Sequence, residues 1–238
     1  MVYIIIGAVV LGLLILVFTS RTRILTIYAK YMKVDNQADI SGQQLAFAAK
    51  RILGYDDLKF SLVDGKMSDA YIGGKYKTLL LSKEVAQTAS LASVAIVAHE
   101  LGHAMQDYGN DKLYHLTHIF GRITRFTNKF VLPLLLVGVG FLIFGYQVNL
   151  AYGLIFGAAG LFGLHALLKL LTIPMEKNAS KRALQFLRDN KIVSRSEFGK
   201  AKRLLRVASQ TYIVALFDGI LITFNKTKRL LSRRKQNV

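Results

Sequence analysis

The sequence has no cysteine, only two prolines, and 14 acidic residues against 32 lysines and arginines. Without cysteine there can be no disulfide and no thiolate metal site, so any transition metal must be held by His, Asp or Glu. The shortage of acid leaves a net charge of +18, unevenly spread. Residues 20–130 carry 15 basic against 10 acidic side chains, and residues 173–238 carry 16 against 4. No internal repeat, low-complexity segment or nucleic-acid-binding motif stands out. The partner expected for this charge is an anionic bilayer surface rather than nucleic acid, at about 1 kcal/mol per Lys or Arg near the headgroups.

What is plentiful is apolar surface. Hydrophobic residues make up 53% of the chain, and its mean hydropathy is +0.36, too apolar for an ordinary soluble domain. Residues 2–18 are an uncharged run of 17 with no basic flank before it and no cleavage site after it, which reads as a retained anchor helix. Residues 131–173 carry no charge before Lys169 and are long enough for two spanning helices that turn near "GYQVN" (145–149), with Pro133 near the start of the first. Basic residues flank these spans (Arg21, Arg23 and Lys30; Arg122, Arg125 and Lys129), whereas the hairpin turn has none. The positive-inside rule then puts the N-terminus outside, with residues 20–130 and 174–238 in the cytoplasm. The expectation is a multi-pass protein of the cell membrane.

Between anchor and hairpin the pattern is that of a small mixed domain. "SGQQLAFAAKRIL" (41–53) has a Ser N-cap and an apolar face of Leu45, Ala48, Ala49 and Ile52. "LKFSLVD" (58–64) and "KTLLLS" (77–82) read as strands; the second would either pack its leucines in the core or offer an edge to a substrate peptide. A long helix ends near Gln106, with alanines at 86, 89, 92, 95 and 98 that allow close approach of another backbone. After the hairpin, helices are expected over 176–188 and 196–208. "TYIVALFDGILITF" (211–224) is too short for a comfortable span and carries Asp218, so a buried or interfacial helix is expected there.

The chemistry concentrates in "AHELGH" (98–103). On a helix, His99 and His103 lie on one face and their rings can converge on one ion. Glu100, turned by about 100°, can reach a water on that ion. With 5 His and 4 Glu in the chain, chance yields roughly 0.002 such motifs. Gly102 costs about 1 kcal/mol relative to Ala in a helix, which suggests either a close neighbour or room for substrate. A catalytic zinc needs a third protein ligand. His115, His118, His165, Glu84, Glu176 and Glu197 remain. Glu176, just past Pro174 and 73 positions beyond His103, is attractive, but an acidic residue in the first turn of a helix also needs no metal to explain it.

"AHELGHAMQ" together with "PMEKNASKRAL" resembles the YugP-type neutral zinc metallopeptidases of bacterial membranes. The likeness extends to "KMSDAY" (66–71), the "LLLS" strand, the hairpin and "TYIVAL". It implies a mostly α membrane protein with a zincin-like α+β catalytic domain and a small sheet. It also implies one Zn2+ held by His99, His103 and Glu176, with Glu100 as catalytic base. Ser180 stands where related zincins have Asp, four residues past Glu176 and close enough to support it. Asp69 and Tyr71 belong to the shared segment, and a tyrosine there could stabilise an oxyanion. The domains expected are 1–19 anchor, 20–130 catalytic, 131–173 hairpin and 174–238 C-terminal helices. The expected activity is hydrolysis of a peptide or protein substrate near the membrane. A non-catalytic zinc-binding scaffold and a zinc hydrolase of a non-peptide bond are the alternatives.

Overall fold

The computed structural model describes residue 19 and residues 22–210. The expected anchor at 2–18 and the segment 211–224 lie outside the described residues. Helix α1 covers residues 22–31, and α2 (Gly42–Leu53) follows. Strands β1 (Lys59–Val63), β2 (Ala70–Ile72) and β3 (Thr78–Ser82) lead into the short α3 (Lys83–Gln87) and then α4 (Leu91–Tyr108). Helices α5 (Lys112–Ile143), α6 (Val148–Leu170), α7 (Ile173–Asp189) and α8 (Arg195–Gln210) complete the described residues. By contact, the described residues form two compact units, one up to His115 together with the stretch from Ile173, the other from Leu116 to Thr172.

In the first unit, α4 is the central element. Its sequence is apolar on almost every face, as a helix surrounded by protein requires. Leu91, Val94, Val97 and Leu101 are fully buried, each contributing about 1.5–3 kcal/mol relative to exposure. Ser90 starts it cleanly, its side chain accepting from the Ser93 N–H. Around α4 pack α2, α7, α8 and the sheet. Helix α2 has the expected Ser cap, made a full capping box by Gln44, and ends on Gly54 at φ +68°. Its buried face differs from expectation. Leu45, Ala46 and Ala49 point inward, while Ile52 is 55% exposed, because Gly42 lies tight against the Val85 carbonyl and sets the rotation.

The sheet order is β1-β3-β2, with β1 parallel and β2 antiparallel to β3. The "LLLS" strand is therefore central, with both backbone edges paired and Leu79 and Leu81 in the core. Of its two expected uses, core packing is the one the fold realises. The edges belong to β1 and to β2, a strand three residues long that its sequence did not announce.

In the second unit, α5 and α6 form the expected hairpin, turning at Gly145 (φ +64°) and Gln147 (φ 49°). Gly138 allows their close approach: a Cβ there would come within 2.8 Å of Ile155 Cγ1 and 3.0 Å of the Ala151 carbonyl. Two helical stretches, Lys112–Ile143 and Val148–Asp189, are long and apolar enough to cross a membrane. Helix α5 starts far earlier than residue 131, so the boundary expected at 130 falls inside it and Pro133 is interior. The proline gives up a single hydrogen bond, to the Lys129 carbonyl.

Candidate metal centre

Helix α4 carries His99 and His103 one turn apart, and their rings meet edge to face at 4.8 Å between centroids. Helix α7 crosses α4 at Gly102. A Cβ at that position would overlap the Ala179 carbonyl oxygen and sit 3.1 Å from its Cα. The neighbour that the glycine accommodates is thus a helix backbone, not a strand or a substrate. This close crossing sets Glu176, in the first turn of α7, against both histidines. Glu176 Oε2 lies 3.4 Å from His99 Nε2 and 3.2 Å from His103 Nε2. Among the described residues these three form the cluster suited to a metal, with ligand atoms all within 4.8 Å of one another.

The separations test whether the group fits an ion. Charge-assisted N–H···O bonds run about 2.7–2.9 Å, shorter than either contact here. Two ligands each about 2.0–2.1 Å from a tetrahedral zinc stand about 3.3 Å apart, which matches both. The three side chains are 15%, 12% and 17% exposed, sheltered but not sealed from solvent.

Further contacts hold these three side chains. Gln106 is fully buried. Its amide nitrogen donates to the Met175 carbonyl (2.8 Å) and to Asn178 Oδ1 (3.1 Å). Its oxygen must then be the atom 3.1 Å from His103 Nδ1, and it accepts from that nitrogen. In the neutral ring this fixes the tautomer with its proton on Nδ1, so that the Nε2 lone pair is the one that can face an ion. Ser180 Oγ lies 3.2 Å from His99 Nδ1 and can do the same there. Ser180, expected as a support for Glu176, thus touches the histidine. Gln106 and Asn178 were not anticipated. The signal for Gln106 was a polar side chain one turn past His103 on a helix with little solvent to face.

Electrostatics follow from the crowding. Burial works against a charge on His103, but the Glu176 contact and the Glu100 and Glu176 charges outweigh it and push its pKa up to about 9. Burial likewise opposes ionisation of Glu176, yet the two histidines hold its carboxyl well below the usual range. Glu100 is raised by burial, in spite of the opposing pull of His99 and His103.

Over residues 3–226 the sequence matches the family described as "putative neutral zinc metallopeptidase". The chain belongs to that family. It is also 26% identical over 227 residues to the "Putative membrane protease YugP" of Bacillus subtilis (strain 168), covering 92% of this chain and 94% of that protein. No solved structure matches the chain.

The remaining residues of interest in this member of the zinc metallopeptidase family have structural partners. Asp69 Oδ1 accepts from the Ser82 N–H at 2.7 Å, tying the start of β2 to the end of β3. The Tyr71 hydroxyl donates to Asp107 Oδ2 (2.9 Å), which also accepts from the Gly74 N–H (2.9 Å). That hydroxyl is committed to Asp107 rather than to an oxyanion. The Tyr71 backbone N–H, by contrast, donates to Glu100 Oε2 at 2.8 Å. Of the other ligand candidates, Glu84 contacts Lys66 and Tyr28, Glu197 caps α8 through the Ser194 N–H, and His165 is buried in α6. His115 and His118 are exposed on α5.

Proposed function

We propose that the chain is an integral membrane zinc metallopeptidase whose active site faces the cytoplasm. The observation that carries this reading is the single Glu176 oxygen set 3.4 and 3.2 Å from the two Nε2 atoms, facing both histidines at the separation expected of ligands that share one ion. His99, His103 and Glu176 would hold the zinc, which when bound would supply a Lewis acid for the water and the scissile carbonyl. Glu100 is the general base. It takes a proton from the attacking water as the C–O bond forms, and delivers one to the amide nitrogen as the C–N bond breaks. Its raised pKa suits both tasks, because it makes the carboxylate a stronger base toward the water and keeps the proton it has taken on the carboxyl until the amine accepts it.

The edge strand supports a zincin-like arrangement. With β3 paired on both sides, Tyr71 of β2 turns its N–H outward to Glu100. A substrate in extended form would lie along that outer edge, its scissile bond brought beside the base. Two long apolar helices separate His103 from Glu176 in sequence, which supports a substrate at or in the bilayer. The basic flanks of the hairpin support the cytoplasmic side.

The test compares the purified wild-type protein, Glu100→Gln and Glu176→Ala in detergent, recording zinc content and cleavage of a broad peptide library. Wild type and Glu100→Gln should each hold one zinc, with cleavage lost by about 10²- to 10⁴-fold in the variant. Glu176→Ala should lose metal. Undiminished cleavage by Glu100→Gln, or full zinc in Glu176→Ala, refutes the assignment.

A further inference from the structure

A second concave surface lies between α7 and α8, within the same compact unit as the metal centre. It encloses about 460 Å3, the size of a ligand cleft. Its floor is apolar, with Leu205 buried and Leu184 and Phe198 half-buried. Its rims carry Lys177, Lys181 and Arg188 from α7 and Lys202 and Arg206 from α8. No acidic side chain is among the described residues lining it. At the far end Arg188 also meets Asp189, at 3.0 Å and in solvent.

The groove and the metal centre share one residue of α7, on the Nδ1 side of His99. Ser180 lines the groove and has its Oγ 3.2 Å from His99 Nδ1, and Lys177 adjoins Glu176 in sequence. On α7 the lining positions run from 177 to 188 at helical spacing, a length of about 16 Å. That length accommodates about five residues of extended chain.

We propose that this groove binds an acidic stretch of the substrate polypeptide, carboxylates on the basic rims and apolar side chains on the floor. The proposal rests on the peptidase reading and adds a substrate class to it. A solvated basic face needs no apolar cleft at its centre. A lipid phosphate is a point charge, satisfied by cations converging on one spot, whereas these cations are distributed along the whole groove. Repeated charge interleaved with apolar surface is the chemistry of an acidic, partly hydrophobic peptide.

The test uses full-length, zinc-loaded Glu100→Gln in phosphatidylcholine nanodiscs, so that binding is read without cleavage. Three fluorescein-labelled ten-residue peptides alternate leucine with glutamate, glutamine or lysine, and anisotropy gives their affinities at low ionic strength. The glutamate peptide should bind about tenfold tighter than the glutamine one. Adding Lys181→Glu and Lys202→Glu, both exposed positions, should abolish that preference and favour the lysine peptide, with zinc content unchanged. Lys181→Gln with Lys202→Gln should give an intermediate loss and serves if charge reversal impairs folding. Equal affinity for glutamate and glutamine peptides overturns the proposal, as does a preference that survives charge reversal. Replacing part of the lipid with phosphatidylglycerol separates the sources: if that alone erases the wild-type preference, the groove is a headgroup site and the proposal fails. The two readings fail separately. Cleavage without acidic preference sinks the groove; acidic binding to a wild-type protein that cleaves nothing sinks the peptidase.

Discussion

At the scale of single residues, the candidate metal centre depends on a side chain outside the group of His99, His103 and Glu176. Gln106 makes three contacts from full burial: it accepts from His103 Nδ1 and donates to Met175 and Asn178. It therefore both selects the His103 tautomer and fastens the turn of α7 that carries Glu176. Gln106→Leu keeps the volume and removes all three. Loss of the second hydrogen bond to the Met175 carbonyl costs about 0.5–1.5 kcal/mol. Loss of an outer partner of a ligating histidine costs about 10- to 100-fold in metal affinity. A chelator competition should find zinc weakened by that factor in Gln106→Leu, with His99 and His103 both intact. Unchanged affinity would mean that Gln106 only packs. The motif His99–Glu100–His103 was readable in the sequence because all its parts lie on one helix, at spacings that local geometry fixes. Glu176 was readable only as a candidate, and Gln106 only as a polar side chain on an apolar helix, because both owe their roles to a helix that arrives after the hairpin.

At the scale of elements, the decisive contact is the crossing of α4 and α7 at Gly102. Two effects of opposite sign compete in Gly102→Ala. Alanine gains about 1 kcal/mol of helix propensity over glycine. The new Cβ, however, meets the Ala179 backbone, which no rotamer change can move, and overpacking of this kind costs about 1–3 kcal/mol. The clash should win. Equilibrium unfolding should show net destabilisation, and zinc binding should weaken because the displaced α7 takes Glu176 with it. A more stable variant with normal zinc affinity would show that the crossing is loose. The sequence suggested such an approach through its glycine and three-spaced alanines, and it located most helices and two strands by their periodicity. It gave no sign of β2, whose three residues are too few to show alternation. Nor did it mark the true start of α5, where a polar first half continues into an apolar second half without a break. The buried face of α2 was misplaced by Ile52 because Gly42, through its contact with Val85, and not hydrophobicity alone, sets the helix rotation.

At the scale of the whole molecule, the centre joins chain before the hairpin to chain after it, so metal, proton and fold are linked. In the metal-free protein His103 titrates near 9 instead of its ordinary 6.5. A folded-state pKa raised in this way contributes stability that is full below about 6.5 and is lost as the pH climbs through about 9. Glu176 is shifted the other way, from an ordinary 4.5, and its contribution is present above that value and lost as the pH falls. The metal-free pair is therefore at its best between about 4.5 and 6.5, where protonated His103 faces ionised Glu176. A zinc ion requires His103 neutral, and so must displace that proton. Its affinity should rise up to about tenfold per pH unit between 6.5 and 9 and level off beyond. At fixed excess zinc, each tenfold gain adds about 1.4 kcal/mol of stability to the folded state. The difference in melting temperature between zinc-loaded and chelator-treated protein should accordingly widen across that window, because the metal-free form loses the His103–Glu176 pair as the pH rises while the metal-bound form, whose His103 is already neutral, does not. Glu176→Ala should show no such widening. A constant difference from pH 6.5 to 9 in the wild-type protein would mean that His103 is already neutral without metal, and that Glu176 is not held beside it.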